Sequence, residues 1–289
     1  MGKYFNVLEK LNKSKNASPP PPSRKESSEG AYEKAKALRL DTSGFNPDPQ
    51  PNEGQTGVGA KNDVDPYMPS LLDPASPAGE AFKLLRARLL VESPQKSLKA
   101  IIISSPEPLD GKTLVASNLA VSIAHGINEH VLLVDCDLRR PSVLKRFGMK
   151  SKKGIREYLE NGGDLAPYMI KTEVKKLTIL PAGEIPPNPS ELLSSEKMRN
   201  LVQELKDRYE DRYVIFDAPP THFTAETATL VSMVDSALLV VRAGKTSAQG
   251  LSDAINSIGP EKIRGIVFNA STESNSKYGY YYKYYQKGS

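Results

Sequence analysis

The chain is constrained most by a series of strand-length apolar runs, each set apart from the next by a helix or a long loop. Ala100–Ser104, Val131–Asp135, Leu177–Pro181, Tyr213–Asp217, Ala237–Arg242 and Gly265–Asn269 are continuously apolar rather than alternating. Strands of that kind are covered on both faces, and helical crossovers between them make the sheet parallel. Apolar spacing predicts helices over Leu114–His125, over Ser190–Tyr209, around 224–233 and around 247–258. One more helix is expected to start at Ser76, an N-cap followed by Pro77, with Glu80 in its first turn and an apolar stripe of Phe82, Leu85 and Leu89. The fold class that follows is α/β: a doubly wound, mostly parallel sheet with helices on both faces.

The flanks differ from this middle. Ten of the 23 prolines lie in residues 1–75, including the run Pro19–Pro22, so 1–75 reads as a disordered Pro-rich tether. Phe5, Leu8 and Leu11 leave two readings for its start, a short amphipathic helix at 3–14 or a solvated tail. The folded domain is expected over 76–277. Residues 278–289 follow as a flexible tail, holding six of the 13 tyrosines: Tyr278, Tyr280, Tyr281, Tyr282, Tyr284 and Tyr285.

Charge and cysteine content exclude several classes. Lys+Arg 39 against Asp+Glu 34 leaves +5, a mild surplus that suits anionic partners such as nucleotides or a lipid surface without pointing to nucleic acid. One cysteine, Cys136, excludes a disulfide framework and a multi-cysteine metal site. The longest apolar runs fall well short of the ~18 residues of a membrane helix, and the N-terminus has no secretory-signal pattern. The expectation is a cytoplasmic protein, peripheral at the membrane only through a partner.

Chemistry gathers at the ends of three strands. Pro106-Glu107-Pro108-Leu109-Asp110-Gly111-Lys112-Thr113 follows the first strand and leads into a helix through Leu114. In that context backbone N–H groups face phosphate oxygens, Lys112 adds positive charge, and Thr113 offers a hydroxyl to Mg²⁺. Pro106 and Leu109 depart from the glycine-rich form of such loops, and both restrict backbone freedom. Asp135 and Asp137 close a second strand and Asp217 a third. In a parallel sheet all three ends meet at one carboxyl edge, so the joint pattern predicts a nucleotide–Mg²⁺ site.

These residues resemble the bacterial tyrosine kinase (BY-kinase) family, over roughly 76–289. The phosphate loop at 106–113, Val134-Asp135-Cys136-Asp137-Leu138-Arg139, Phe216-Asp217-Ala218-Pro219-Pro220 and the tyrosine cluster carry the resemblance, and Asp137-Leu138-Arg139-Arg140-Pro141 is its most specific piece. Together the four motifs imply an ATP-dependent tyrosine autokinase that phosphorylates its own tail in trans, in exopolysaccharide and capsule systems. ATP would be held by Pro108, Leu109, Asp110, Gly111, Lys112, Thr113 and Leu114, and Mg²⁺ by Thr113, Asp137 and Asp217. Lys112, Asp135 and Asp137 would be catalytic, with Asp135 as base for the tyrosine proton. Asn269 would either meet the adenine or cap a turn. Arg139 and Arg140 would steady phosphate or acceptor, or only pair with carboxylates.

The resemblance further implies ring-shaped homo-oligomers built on Glu80, Lys83 and Arg86, where Lys83 replaces the family's arginine; a solvated polar face is the other reading of that helix. Implied partners are a membrane chain-length-determinant protein supplying an activating cytoplasmic segment, and a protein tyrosine phosphatase. Two alternatives stay open at this point: a MinD/ParA-type regulatory ATPase, and a catalytically weak scaffold. Glu107 stands about where the MinD/ParA loops carry an extra lysine, and those ATPases lack a tyrosine tail.

Overall fold

The structure, a computed structural model, describes residues 63–91, 98–207, 212–221 and 225–271. Among them one sheet contains β1 (Ala100–Ser104), β2 (His130–Asp135), β3 (Ile170–Lys171), β4 (Leu177–Leu180), β5 (Arg212–Asp217), β6 (Ser236–Arg242) and β7 (Ile263–Asn269), in the order β3-β4-β2-β5-β1-β6-β7. Every neighbouring pair is parallel except β3 with β4. The six apolar runs are the six parallel strands. β3 has only two residues, too few to leave a periodic signal, and joins the edge antiparallel through Ile170 and Ile179.

The helices are α1 (Pro69–Leu72), α2 (Pro77–Val91), α3 (Lys112–Ala124), α4 (Val143–Arg146), α5 (Ile155–Asn161), α6 (Pro189–Leu193), α7 (Glu196–Asp207), α8 (Ala225–Met233) and α9 (Ala248–Ile258). Ile101, Ile103, Leu133, Ile179, Ile215 and Leu238 join one buried cluster with Val115, Leu119 and Ile123 of α3. The residues between them along the strands, Ile102, Leu132, Val214, Phe216 and Leu239, are equally inaccessible to solvent. Both faces of the sheet are therefore covered, the condition under which continuous apolar strands are stable. The expected helix start holds as well, since the Gly79 N–H donates to Ser76 Oγ at 3.1 Å.

Two expectations need correction. The single helix read over Ser190–Tyr209 is broken into α6 and α7. Ser195 interrupts it, its hydroxyl accepting the Met198 N–H at 3.1 Å as a new N-cap. The tether boundary at 75 also lies too far along the chain, because residues 63–75 pack on the domain. Met68 is fully buried, and Val64 and Leu71 pack on the main cluster. Asn118 of α3 accepts the Ser70 N–H at 3.0 Å and donates to the Tyr67 carbonyl at 3.0 Å, while Asp65 pairs with Arg146. Proline and polar content hid this segment, whose few apolar residues are spaced irregularly. Residues 1–62, with the helix considered at 3–14, lie outside the described residues, as does the tail.

Asp235 fixes the register at which β1 enters the sheet. Its Oδ2 accepts the N–H groups of Lys99 and Ala100 at 2.9 and 2.8 Å, and Oδ1 pairs with Lys206 at 2.6 Å. Burial opposes the charge, but Lys206 and the two N–H groups outweigh it and hold the carboxyl below its ordinary value of 3.8. A depressed carboxylate contributes stability above its unfolded pKa, and that contribution disappears as pH falls through the folded value. Asp235→Ala is expected to cost about 1.5–3 kcal/mol near neutrality, the range for hydrogen bonds to a charged group. Chemical denaturation should show the difference shrinking toward pH 3.

Candidate functional site

β1 lies in the middle of the sheet between β5 and β6, so the loop after it opens at the carboxyl edge beside Asp217. This loop is braced by residues far away in sequence. Asp110 is buried; its Oδ2 accepts the Glu107 N–H at 3.1 Å and its Oδ1 the Thr246 hydroxyl at 2.8 Å. Asn269 Nδ2 donates to the Asp110 carbonyl at 2.8 Å, and Arg242 Nη1 to the Leu109 carbonyl at 3.2 Å. Burial comes first among the influences on Asp110 and raises its pKa, against the lowering effect of Thr246.

Leu109 stands where glycine freedom is usual, and it takes the left-handed conformation itself, with φ 66°. That conformation costs a non-glycine residue about 1–2 kcal/mol. Its side chain points to solvent, 75% exposed, so the strain is confined to the backbone. Gly111 has φ 99°, and a Cβ there would stand 2.0 Å from Asn269 Nδ2. Close approach and positive φ both demand glycine.

The three strand ends converge as expected. Lys112 Nζ pairs with Asp137 Oδ2 at 2.7 Å and lies 3.8 Å from Asp217 Oδ1. Asp135, Asp137 and Asp217 are all buried. Asp135 is held by backbone donors: Oδ2 accepts Ser142 and Val143 N–H at 3.1 and 3.0 Å, and Oδ1 accepts the Asp137 N–H at 3.2 Å. Burial, then the neighbouring Asp217 charge, pushes Asp135 up to about 7. Burial likewise raises Asp217, opposed by Lys112. For Lys112 burial works against the ammonium, but Asp217 and Asp137 outweigh it and its pKa stands above 10.5.

Three carboxylates thus share one ammonium in a buried pocket, with only the Arg146 charge acting on Asp217 besides, an arrangement short of positive charge. Neither oxygen of Asp217 has a hydrogen-bond partner of ordinary geometry, although the Thr113 hydroxyl is close enough to favour its charged form. Such a set fits a divalent cation. Among the described residues no three carboxylate, histidine or cysteine side chains are grouped so as to hold a metal ion by themselves. The cation would need phosphate oxygens and water as well, which is how Mg²⁺ is held beside nucleotides.

The AAA domain family model matches residues 99–265, the stretch just described. Tyrosine-protein kinase YwqD of Bacillus subtilis is 33% identical over 215 residues, covering 73% of this chain and 90% of that relative. The chain belongs to the bacterial tyrosine kinase family. The kinase domain of Escherichia coli tyrosine kinase ETK is similar in structure, with a TM-score of 0.67 and 30% identity over 72% of this chain and 82% of that one. Tyrosine-protein kinase Wzc of Salmonella typhimurium is 28% identical over 222 residues, 75% of this chain but only 30% of the relative, where the domain is one part of a longer protein. The family and its fold carry a nucleotide-binding site. Among the described residues no helix is long and apolar enough to cross a membrane.

Of the motifs read in the sequence, the three at strand ends meet at the carboxyl edge, where Lys112 lies beside Asp137 and Asp217, with details the sequence did not disclose. Asn269 braces the phosphate loop through the Asp110 carbonyl, and its Oδ1 accepts the Ala270 N–H at 2.9 Å. Ser142 was missed: its hydroxyl donates to Thr113 Oγ1 at 3.2 Å. Glu226 and Ser190 were missed too, and both hold Arg139. No local signal marks Thr246, Ser142 or Glu226, because each contact joins residues distant in sequence. On α2, Glu80 pairs with Lys83 at 2.7 Å on the surface, while Arg86 donates to the Ser122 carbonyl of α3 at 2.6 Å. The six tail tyrosines lie outside the described residues.

Proposed function

We propose that this chain is an ATP-dependent tyrosine autokinase, transferring the γ-phosphoryl group of Mg·ATP to tyrosines of a C-terminal tail, between copies, in the control of exopolysaccharide or capsule synthesis. The observation that carries the reading is the convergence of Lys112 with Asp135, Asp137 and Asp217 on the carboxyl edge, beside a phosphate loop braced from three sides. When bound, Mg·ATP supplies the transferable group and the positive charge this pocket lacks. Residues 108–114 would cradle the phosphates, and Thr113, Asp137 and Asp217 would hold the cation.

Lys112 now spends its charge on Asp137, and with nucleotide present the same ammonium would face phosphate oxygens. Asp135 is the group to take the phenolic proton. A carboxyl with a pKa of about 7 is far better matched to a phenol of pKa near 10 than an ordinary carboxylate is. Its three backbone donors keep its position fixed while it does so. The exposed Glu80 and Lys83 favour a role for α2 in assembly with other copies, although Arg86 is partly committed within its own chain. A membrane partner with an activating cytoplasmic segment, and a phosphatase to reset the tail, complete the proposal.

The test replaces Tyr278, Tyr280, Tyr281, Tyr282, Tyr284 and Tyr285 with Phe together. Phosphotyrosine should fall by about tenfold or more while affinity for a fluorescent Mg·ATP analogue stays unchanged, since the site that assists phosphoryl transfer is intact. A full phosphotyrosine signal from the Phe-tail protein would remove the tail as acceptor.

A further inference from the structure

Arg139 stands two residues past Asp137, and its guanidinium is gripped on one side only. Nε and Nη2 donate to Glu226 Oε1 at 3.1 and 3.0 Å, and Nη2 also reaches Ser190 Oγ at 3.2 Å. Ser190 Oγ donates in turn to the same Glu226 oxygen at 2.6 Å. The Glu226 side chain is fully buried at the first turn of α8, so the anchor is rigid and dry. Arg139 itself is 52% exposed, and among the described residues its Nη1 makes no hydrogen bond. Two donors of a preset, planar cation therefore face solvent at the carboxyl edge.

The sheet order says which side of the site this is. The phosphate loop leans toward β6 and β7, where Arg242, Thr246 and Asn269 brace it. Arg139 follows β2, and Ser190 lies in the segment between β4 and β5, on the other side of β1. Asp137 pairs with Lys112 of that loop while Arg139 turns to Glu226, so a nucleotide seated on the loop would have Asp137 between itself and Arg139. What reaches Arg139 is then the acceptor, and the chemistry two free guanidinium donors select is a phosphoryl group.

We propose that Arg139, held in place by the positioning residues Glu226 and Ser190, binds the phosphotyrosyl group on the acceptor side of the site. This deepens the kinase reading and rests on it. A phosphotyrosine held there keeps a tyrosine-rich segment at the site after one transfer, so that a neighbouring tyrosine can follow.

The test uses the full chain, treated with phosphatase, in three forms: wild type, Arg139→Lys and Glu226→Gln. Arg139→Ala is avoided because it leaves a buried carboxylate without its cation. Lysine keeps the charge but loses the fork, and Glu226→Gln keeps the shape but releases the guanidinium. A synthetic peptide of residues 278–289 phosphorylated on one tyrosine is titrated by fluorescence anisotropy, and a fluorescent Mg·ATP analogue is titrated separately. Each variant should bind the phosphopeptide about tenfold or more weakly, the loss expected for charge-assisted hydrogen bonds, with nucleotide affinity unchanged. In turnover assays with the unphosphorylated peptide, inhibition by the phosphopeptide should weaken in the same proportion. Phosphopeptide binding that is absent in the wild type or equal in all three forms overturns the proposal, and so does a parallel loss of nucleotide affinity. Phosphopeptide binding as expected, with ATP turned over but no peptide phosphorylated, would instead overturn the kinase reading.

Discussion

Lys112→Met is expected to abolish phosphotyrosine formation, by at least about 10²–10³-fold, the usual effect of removing one preorganised electrostatic group from a transfer site. The structure gives this variant a second signature. Lys112 is the one ammonium paired with Asp137 and close to Asp217, and methionine has similar bulk but no charge. Deleting it leaves Asp135, Asp137 and Asp217 facing one another in a buried pocket. The folded apo protein should therefore be less stable than wild type, and added Mg²⁺ should recover more stability in the variant than in the parent. Thermal melts with and without Mg²⁺ measure this directly. A Lys112→Met protein with undiminished phosphotyrosine would leave the phosphate loop without a role.

Asp217→Asn should separate stability from function in the opposite direction. Asp217 is fully buried with no hydrogen-bond partner of ordinary geometry on either oxygen, and burial raises its pKa. Burial disfavours its charge, and Lys112 keeps Asp137 as a partner when that charge is removed, so the substitution should stabilise the apo fold. For a chain of this size each kcal/mol gained is about 2–4 °C in Tm. Transfer should nonetheless fall by about 10²-fold or more, because a ligand for the cation is lost.

The pH dependence follows from the same cluster. A carboxyl raised in the folded state binds its proton more tightly there than when unfolded. Asp135, at about 7 against an ordinary 3.8, thus makes the apo fold lose stability as pH rises between those values. Asp217→Asn removes the like charge that contributes to this shift, so its stability curve should be flatter over the same window. A less stable Asp217→Asn protein would mean that the apo pocket is not short of positive charge.

The parallel sheet was legible because its strands are apolar on both faces, a pattern few folds need. The site was legible because Gly111-Lys112-Thr113, Asp135, Asp137 and Asp217 each sit at the end of such a strand, and topology delivers strand ends to one edge. Residues that brace the site were not legible. Thr246 and Arg242 reach the phosphate loop from more than a hundred residues away, and nothing in their neighbours marks them; Asn269 was marked by its place at a strand end, but not as a brace of that loop. Leu109 looked like an obstacle to the loop, yet a leucine can take the required positive φ when its side chain remains in solvent. The segment 63–75 was misread for a related reason. Its anchoring is by single residues, Met68, Asn118 and the Asp65–Arg146 pair, rather than by a periodic face.

The central claim is that the carboxyl-edge site passes phosphate to tyrosine rather than to water. Full chain incubated with radiolabelled Mg·ATP, beside Lys112→Met, and then mapped by mass spectrometry tests it most directly. Phosphotyrosine within 278–285 in the wild type alone is the predicted result. Steady release of inorganic phosphate with no labelled tyrosine would contradict it, and would make the chain an ATPase switch built on a kinase fold.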